Sequence, residues 1–246
     1  MDRVIYTAMN GAKQTMLKQA TNSNNLANLN TTGFRADLDA FKSLPMFGPG
    51  HPSRVYTEDT RVGTDFSHGH IMTTGRELDI AITGDGFIAV QDTDGNESLT
   101  RRGDLRVSPE GLLTNGANQP VMGNGGPIAI PPFQKISIGK DGTISILPPG
   151  ADATGMAVLD RIKLVNPPLD QLQKRETGLF RPTDEEATIA DASVTVSAGS
   201  LEGSNVNATE ALVNMIELAR QYEMHIKVLK DAEEADKSAA SISRVA

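Results

Sequence analysis

Cysteine and tryptophan are absent from this 246-residue chain, and aromatic side chains make up only 4% of it. Without cysteine there is no disulfide framework, no thiolate metal site and no cysteine nucleophile. Basic charge is also short: 23 Lys and Arg stand against 31 Asp and Glu, a net charge of −8. An acidic chain offers no broad cationic face to phosphate, so no nucleic-acid partner is expected. The basic pairs Arg101-Arg102 and Lys174-Arg175 are too short to supply one. No apolar run approaches the ~18 residues of a membrane-spanning helix, so no transmembrane segment is expected. The N-terminus lacks a basic stretch followed by an apolar one, so no cleaved signal peptide is expected.

Turn chemistry is plentiful, with 23 Gly and 13 Pro. Apart from Gly11 it lies in the middle of the chain, while both ends carry helical patterns. Toward the C-terminus, Ala208, Leu212, Met215, Ala219, Tyr222, Ile226 and Leu229 keep a 4-3 spacing, the apolar repeat of a coiled coil. Leu218 and Ile216 widen this stripe, and Ala232, Ala235, Ala239 and Ile242 extend it weakly. At the N-terminus, Ile5, Met9, Ala12 and Met16 begin a similar stripe. It meets polar Gln19 and Ser23, then reaches Leu26 and Ala27. One amphipathic helix usually packs on its own domain. Two terminal ones, with small or adaptable residues in the seam, suit helix pairing with each other or with neighbouring copies.

Between the ends the pattern is that of short strands. Leu78–Ile82, Phe87–Val90, Ile136–Ile138, Thr143–Ile146, Arg161–Val165 and Val194–Val196 carry apolar or alternating runs. Asp94-Gly95 and Asp141-Gly142 mark hairpin turns between them. No helical stretch long enough for a parallel crossover interrupts the strands, so a small barrel or sandwich is expected. Pro45, Gly48, Pro49, Gly50 and Pro52 argue for an extended loop. The fold class expected is α+β, with long terminal helices forming a coiled-coil-like layer. The segments are an N-terminal helix with its exit turn (1–41), a linker (42–77), a β-rich body (78–198) and a C-terminal helix (199–246). Gly33 is expected at positive φ where the chain leaves the first helix, with Asn tolerated there better than Val.

Candidate chemistry is thin. His68 and His70, with Asp65 nearby, could mimic a metal site, yet no third ligand has a fixed spacing. Asp92, Asp94 and Asn96 place glycine too early for an EF-hand loop. Gly84-Asp85-Gly86 and Gly123–Gly126 lack the spacing of a phosphate loop, and there is no nucleophile elbow. No enzyme activity, cofactor or metal is expected.

Asn25-Leu26-Ala27-Asn28, followed by Thr31-Thr32-Gly33-Phe34-Arg35, resembles the N-terminal signature of the bacterial flagellar rod and hook family. Gly199–Asn207, with Leu201-Glu202 and Ser204-Asn205-Val206-Asn207, resembles the family's lead into its C-terminal helix. Glu210–Ile216 and Arg220-Gln221-Tyr222-Glu223 resemble the helix itself. Gly84–Phe87, Leu99–Gly103 and Gly111–Leu113 are similar to the family's body motifs. The length and the opening residues resemble the proximal rod members, with the distal rod members as the alternative. The resemblance implies a non-enzymatic structural subunit of a tubular rod. It implies terminal helices in the inner layer, torque carried by helix packing, and other rod subunits as partners. It also implies export through the flagellar type III apparatus and a location in the basal-body rod spanning the periplasm. A reading from another class is a β-domain enzyme or binding module with helical oligomerisation arms.

Overall fold

The computed structural model describes residues 2–45, 55–150, 155–175, 177–183 and 188–245. Two α-helices, one 3-10 turn at Leu169–Gln171 and eighteen strands are present among them, an α+β fold. The chain divides into two units. Unit 1 gathers residues 1–29, 36–65 and 206–246; unit 2 gathers 30–35 and 66–205.

Unit 1 holds α1 (Asp2–Ala27) and α2 (Ala208–Val245), together with β1 (Asp37–Pro45) and β2 (Val55–Thr64). At 1.5 Å per residue α1 is about 39 Å long and α2 about 57 Å. Asn207 caps α2: its Oδ1 accepts from the backbone N–H of Thr209 at 3.0 Å and of Glu210 at 3.4 Å. The stretch 42–77 is not the extended loop that its Pro and Gly content suggested. β1 and β2 form an antiparallel ribbon, with a register shift between Ala40 and Phe41. Leu38, Ala40 and Leu44 alternate with polar residues, and Val55, Tyr56, Thr57, Thr60 and Val62 are strong strand formers. Pro45 is the last residue of β1, opposite Val55, and Gly48, Pro49, Gly50 and Pro52 fall among residues 46–54, which with His51 lie outside the described set.

Unit 2 is the β-rich body. Its strands are β3 (Ile71–Thr73), β4 (Ile80–Thr83), β5 (Phe87–Gln91), β6 (Glu97–Thr100), β7 (Arg106–Val107) and β8 (Leu113–Thr114). They continue with β9 (Met122–Gly123), β10 (Gly126–Pro127), β11 (Lys135–Ile138), β12 (Thr143–Leu147), β13 (Ala157–Arg161) and β14 (Leu164–Val165). The last four are β15 (Leu172–Lys174), β16 (Phe180–Pro182), β17 (Thr195–Ala198) and β18 (Ser200–Glu202). The largest sheet has the order β14-β5-β6-β16-β15; a second has β11-β12-β13. β17 pairs with β4 and β18 with β3. The remaining strands form two-stranded ribbons, and no sheet closes into a barrel among the described residues. The expected strand 161–165 is two strands: β13 ends at Arg161 and β14 begins at Leu164.

β5 shows how the core is laid out. Side chains alternate across a strand, and here both faces are buried. Ile88 and Val90 join the main core with Ile80, Leu113, Ile144 and Ile162. Phe87 and Ala89 join a smaller core with Leu99, Val165 and Phe180. Three of the seven phenylalanines, Phe66, Phe87 and Phe180, meet in that second core. Phe87 and Phe66 lie 5.5 and 5.4 Å from the Phe180 ring, centroid to centroid.

Candidate functional site

Two sites hold the residues that the sequence singled out, one in each unit. In unit 1, α1 and α2 run antiparallel. Asn22 Nδ2 donates to the Ala211 carbonyl at 2.7 Å. Gly11 lies against His225, so closely that a Cβ on Gly11 would sit 2.5 Å from the imidazole Cε1. The inner stripe of α1 is Ile5, Ala8, Ala12, Thr15, Gln19, Asn22 and Leu26; that of α2 is Ala208, Ala211, Met215, Leu218, His225, Leu229 and Ala232.

These stripes share alternate positions with the expected ones and differ at the rest. Ile5, Ala12, Leu26, Ala208, Met215 and Leu229 lie in the seam, and Ala219 and Ile226 are half-buried beside it. Ala8, Thr15, Ala211 and His225 take the intervening places, one residue away from Met9, Met16, Leu212 and Ile226. The reason is size. Small side chains and Gly11 let the helices approach, and the larger apolar residues are displaced outward. Met9 is 53% exposed, Met16 63%, Leu212 50% and Ile216 56%. Ala27 and Tyr222 are also exposed. The side chains of Ala239 and Ile242 lie outside the described residues.

The asparagines that end α1 act on the backbone. Asn25 Nδ2 donates to the Asp37 carbonyl, and its Oδ1 accepts from the Asp37 N–H, both at 2.9 Å. The side chain thus pairs with the first residue of β1 as a neighbouring strand would. Asn28 Nδ2 donates to the Asn24 carbonyl at 3.0 Å.

In unit 2 the other motif residues converge on a buried ionic cluster. Glu202, at the end of β18, accepts from Arg35 Nη2 at 2.6 Å and from Gly69 N at 3.0 Å through Oε1. Its Oε2 accepts from Arg101 Nε at 2.8 Å. The Arg35 and Glu202 side chains are each 1% exposed. Arg101 spends its remaining donors on the Gly84 and Gly86 carbonyls, all at 2.9 Å, which fixes the 84–86 turn. Arg35 Nε and Nη1 are buried without a hydrogen-bond partner among the described residues. Gly33 has φ +68° and donates to the Glu202 carbonyl at 2.8 Å. Phe34 lies under the Lys174 ammonium, 4.2 Å from its ring centroid. Asn205 N donates to the Phe34 carbonyl at 3.4 Å, and Asn205 Nδ2 to the Ser67 carbonyl at 3.2 Å. Ser204 is buried and Val206 half-buried, whereas Glu223, on α2, is exposed.

The histidine pair does not act as a unit. His68 Nε2 lies 3.2 Å from Asp85, and its Nδ1 lies 3.4 Å from Arg101 Nη2. His70 packs its ring on Gly203. Among the described residues, no group of three His, Cys, Asp or Glu is placed to hold a metal ion.

Burial pushes the Glu202 carboxyl up, but the charges and hydrogen bonds of Arg101 and Arg35 outweigh it and hold the group below its ordinary value. A carboxylate with a depressed folded-state pKa contributes stability above its unfolded value and loses it as pH falls through the folded one. Unit 2 is therefore expected to keep a constant urea midpoint above about pH 5 and to lose stability below about pH 4.3, the ordinary glutamate value. Glu202→Gln should flatten that acid limb. An unchanged limb in the variant would assign the acid sensitivity to another group.

Neither the cluster nor the inner stripes were legible as contacts. Arg35, Arg101 and Glu202 sit in motif segments, but their pairing spans 101 and 167 residues of chain. Arg101 reads as half of a short basic pair; only its position after the apolar end of β6 hinted at burial.

Three family models match the chain. "Flagella basal body rod protein" matches residues 5–35, "Flagellar hook protein FlgE/F/G D1 domain" residues 81–146, and "Flagellar basal body rod FlgEFG protein C-terminal" residues 197–242. The flagellar basal-body rod protein FlgF of Escherichia coli is 43% identical, covering 95% of each chain. FlgF of Caulobacter vibrioides is 33% identical over 97% of each. The rod protein FlgG of Bacillus subtilis is 29% identical over 99% of this chain and all of its own length.

Proposed function

Because the chain belongs to the flagellar basal-body rod protein family, and is a structural subunit of the basal-body rod and not an enzyme, we propose that it occupies the proximal rod as an FlgF-type subunit. The higher identity to FlgF relatives than to the FlgG relative supports this position over the distal one. In this reading, neighbouring proximal and distal rod subunits pack on the outer faces of α1 and α2, in a coiled-coil-like inner layer that carries torque. Export through the flagellar type III apparatus and a rod spanning the periplasm complete the reading. No helix among the described residues is long and apolar enough to cross a membrane.

The observation that carries the packing through the helix faces is the pair of displaced stripes. Met9 and Met16 stand one heptad apart on α1; Leu212 and Ile216, then Met224 and Val228, stand four apart on α2. All six are exposed. Singly exposed apolar residues are ordinary, but repeated ones at helical spacing mark a surface that becomes covered. Covering a side chain of this size contributes about 1.5–3 kcal/mol if burial is complete.

The absence of native cysteine makes the test direct. Ile216→Cys is expected to react with a thiol reagent quickly in the isolated chain and about tenfold more slowly in purified basal bodies. Asp94→Cys, on the exposed β5–β6 turn, serves as the accessible control. Equal protection factors at the two positions would remove the helix faces from the subunit contact.

A further inference from the structure

We infer that the Arg35–Glu202–Arg101 cluster is a late-closing clasp, so that the body completes its fold only when the C-terminal motif arrives. Arg35 comes first, Arg101 in the middle and Glu202 near the end of unit 2. Glu202 is the one carboxylate bonded to either arginine among the described residues, and it bonds to both. Arg101 has backbone carbonyls for its other donors, but Arg35 leaves its buried Nε and Nη1 without a partner among the described residues and depends on Glu202 for its charge.

Burying either guanidinium before Glu202 is in place leaves an uncompensated cation in an apolar body, which is strongly unfavourable. Much of the remaining structure has no such dependence. β5–β6, β7–β8 and β11–β12 are joined by short connections. Their loops close cheaply, whereas Glu202 must find partners 167, 133 and 101 residues away. The β17–β4 and β18–β3 pairings are equally remote in sequence. The local ribbons therefore form first, and segment 195–205 seats last. A chain made or threaded N-terminus first cannot complete unit 2 until residue 202 is free to fold. This inference does not depend on which rod position the subunit occupies.

Two measurements on the full chain test it. In stopped-flow experiments, Glu202→Gln is expected to raise the unfolding rate about 100-fold and to leave refolding within about twofold. A refolding rate that falls in proportion to the lost stability would place the cluster in the folding nucleus and overturn the clasp. Pulse-labelling hydrogen exchange on the unaltered chain decides the matter even if that variant does not fold. The Gly33 amide, which donates to the Glu202 carbonyl, and the β18 amides should gain protection after those of β5 and β12. Simultaneous or earlier protection would overturn the inference.

Discussion

Gly33→Ala, Gly33→Asn and Gly33→Val are all expected to destabilise unit 2, and by similar amounts. The sequence alone argued for positive φ at Gly33, and φ is +68°. That reason by itself would spare Asn, which tolerates left-handed geometry. The surroundings do not. A Cβ at Gly33 would lie 2.4 Å from the Arg101 carbonyl carbon and 2.5 Å from the Arg101 oxygen and the Arg102 nitrogen. These are backbone atoms at the end of β6 and cannot swing aside. Any side chain must push residues 31–35 away from residues 101–102. The movement stretches the Gly33–Glu202 hydrogen bond and displaces both arginines of the cluster. Left-handed strain of about 1–2 kcal/mol is then the smaller part of the cost. Disrupting a buried charge network adds about 3–5 kcal/mol. Urea unfolding followed by far-ultraviolet circular dichroism is the measurement. If Gly33→Asn stays within about 0.5 kcal/mol of the parent, the close backbone approach is not as described.

The same position shows what a sequence can and cannot disclose. A glycine's need for positive φ is local, and so it is legible from a helix ending in asparagines before a turn. The need for empty space at that glycine comes from residue 101, and nothing local records it. The helix seams were legible only in part, for a related reason. Apolar periodicity picks out large residues, so Met9, Met16 and Leu212 mark a pairing stripe without saying whether the other helix or a neighbouring copy covers it. The partner helix selects instead for close approach, so Ala8, Ala211 and Gly11 face inward. Strands with short hairpin connections, such as β11–β12 at Asp141-Gly142, were legible because turn and alternation lie together. The ribbon of β1 and β2 was missed because the Pro- and Gly-rich sequence between them masked the alternation on either side. The ionic cluster is the extreme case, since its members are individually plain and only the fold brings them together.

Placing aspartate at both Leu212 and Ile216 is expected to abolish rod assembly and motility while leaving the isolated chain's fold intact. Both side chains are at least half exposed in the single chain, so little internal contact is lost. If a neighbouring subunit covers them, two carboxylates enter an apolar contact without partners, and each costs several kcal/mol. Met215→Asp makes the complementary variant. Met215 is half-buried, in the seam with Ala211 and Leu218. Its replacement should separate α2 from α1 before any subunit meets another. That seam buries mainly Ala and Thr, so the helix pair is thinly stabilised and one charge suffices. The two variants are therefore told apart in the isolated chain. Helicity should hold in Leu212→Asp/Ile216→Asp and fall in Met215→Asp, although both strains fail to swim. A motile strain carrying the outer pair would show that these exposed side chains stay uncovered in the rod. Equal loss of helicity in both variants would instead return Leu212 and Ile216 to the inner seam.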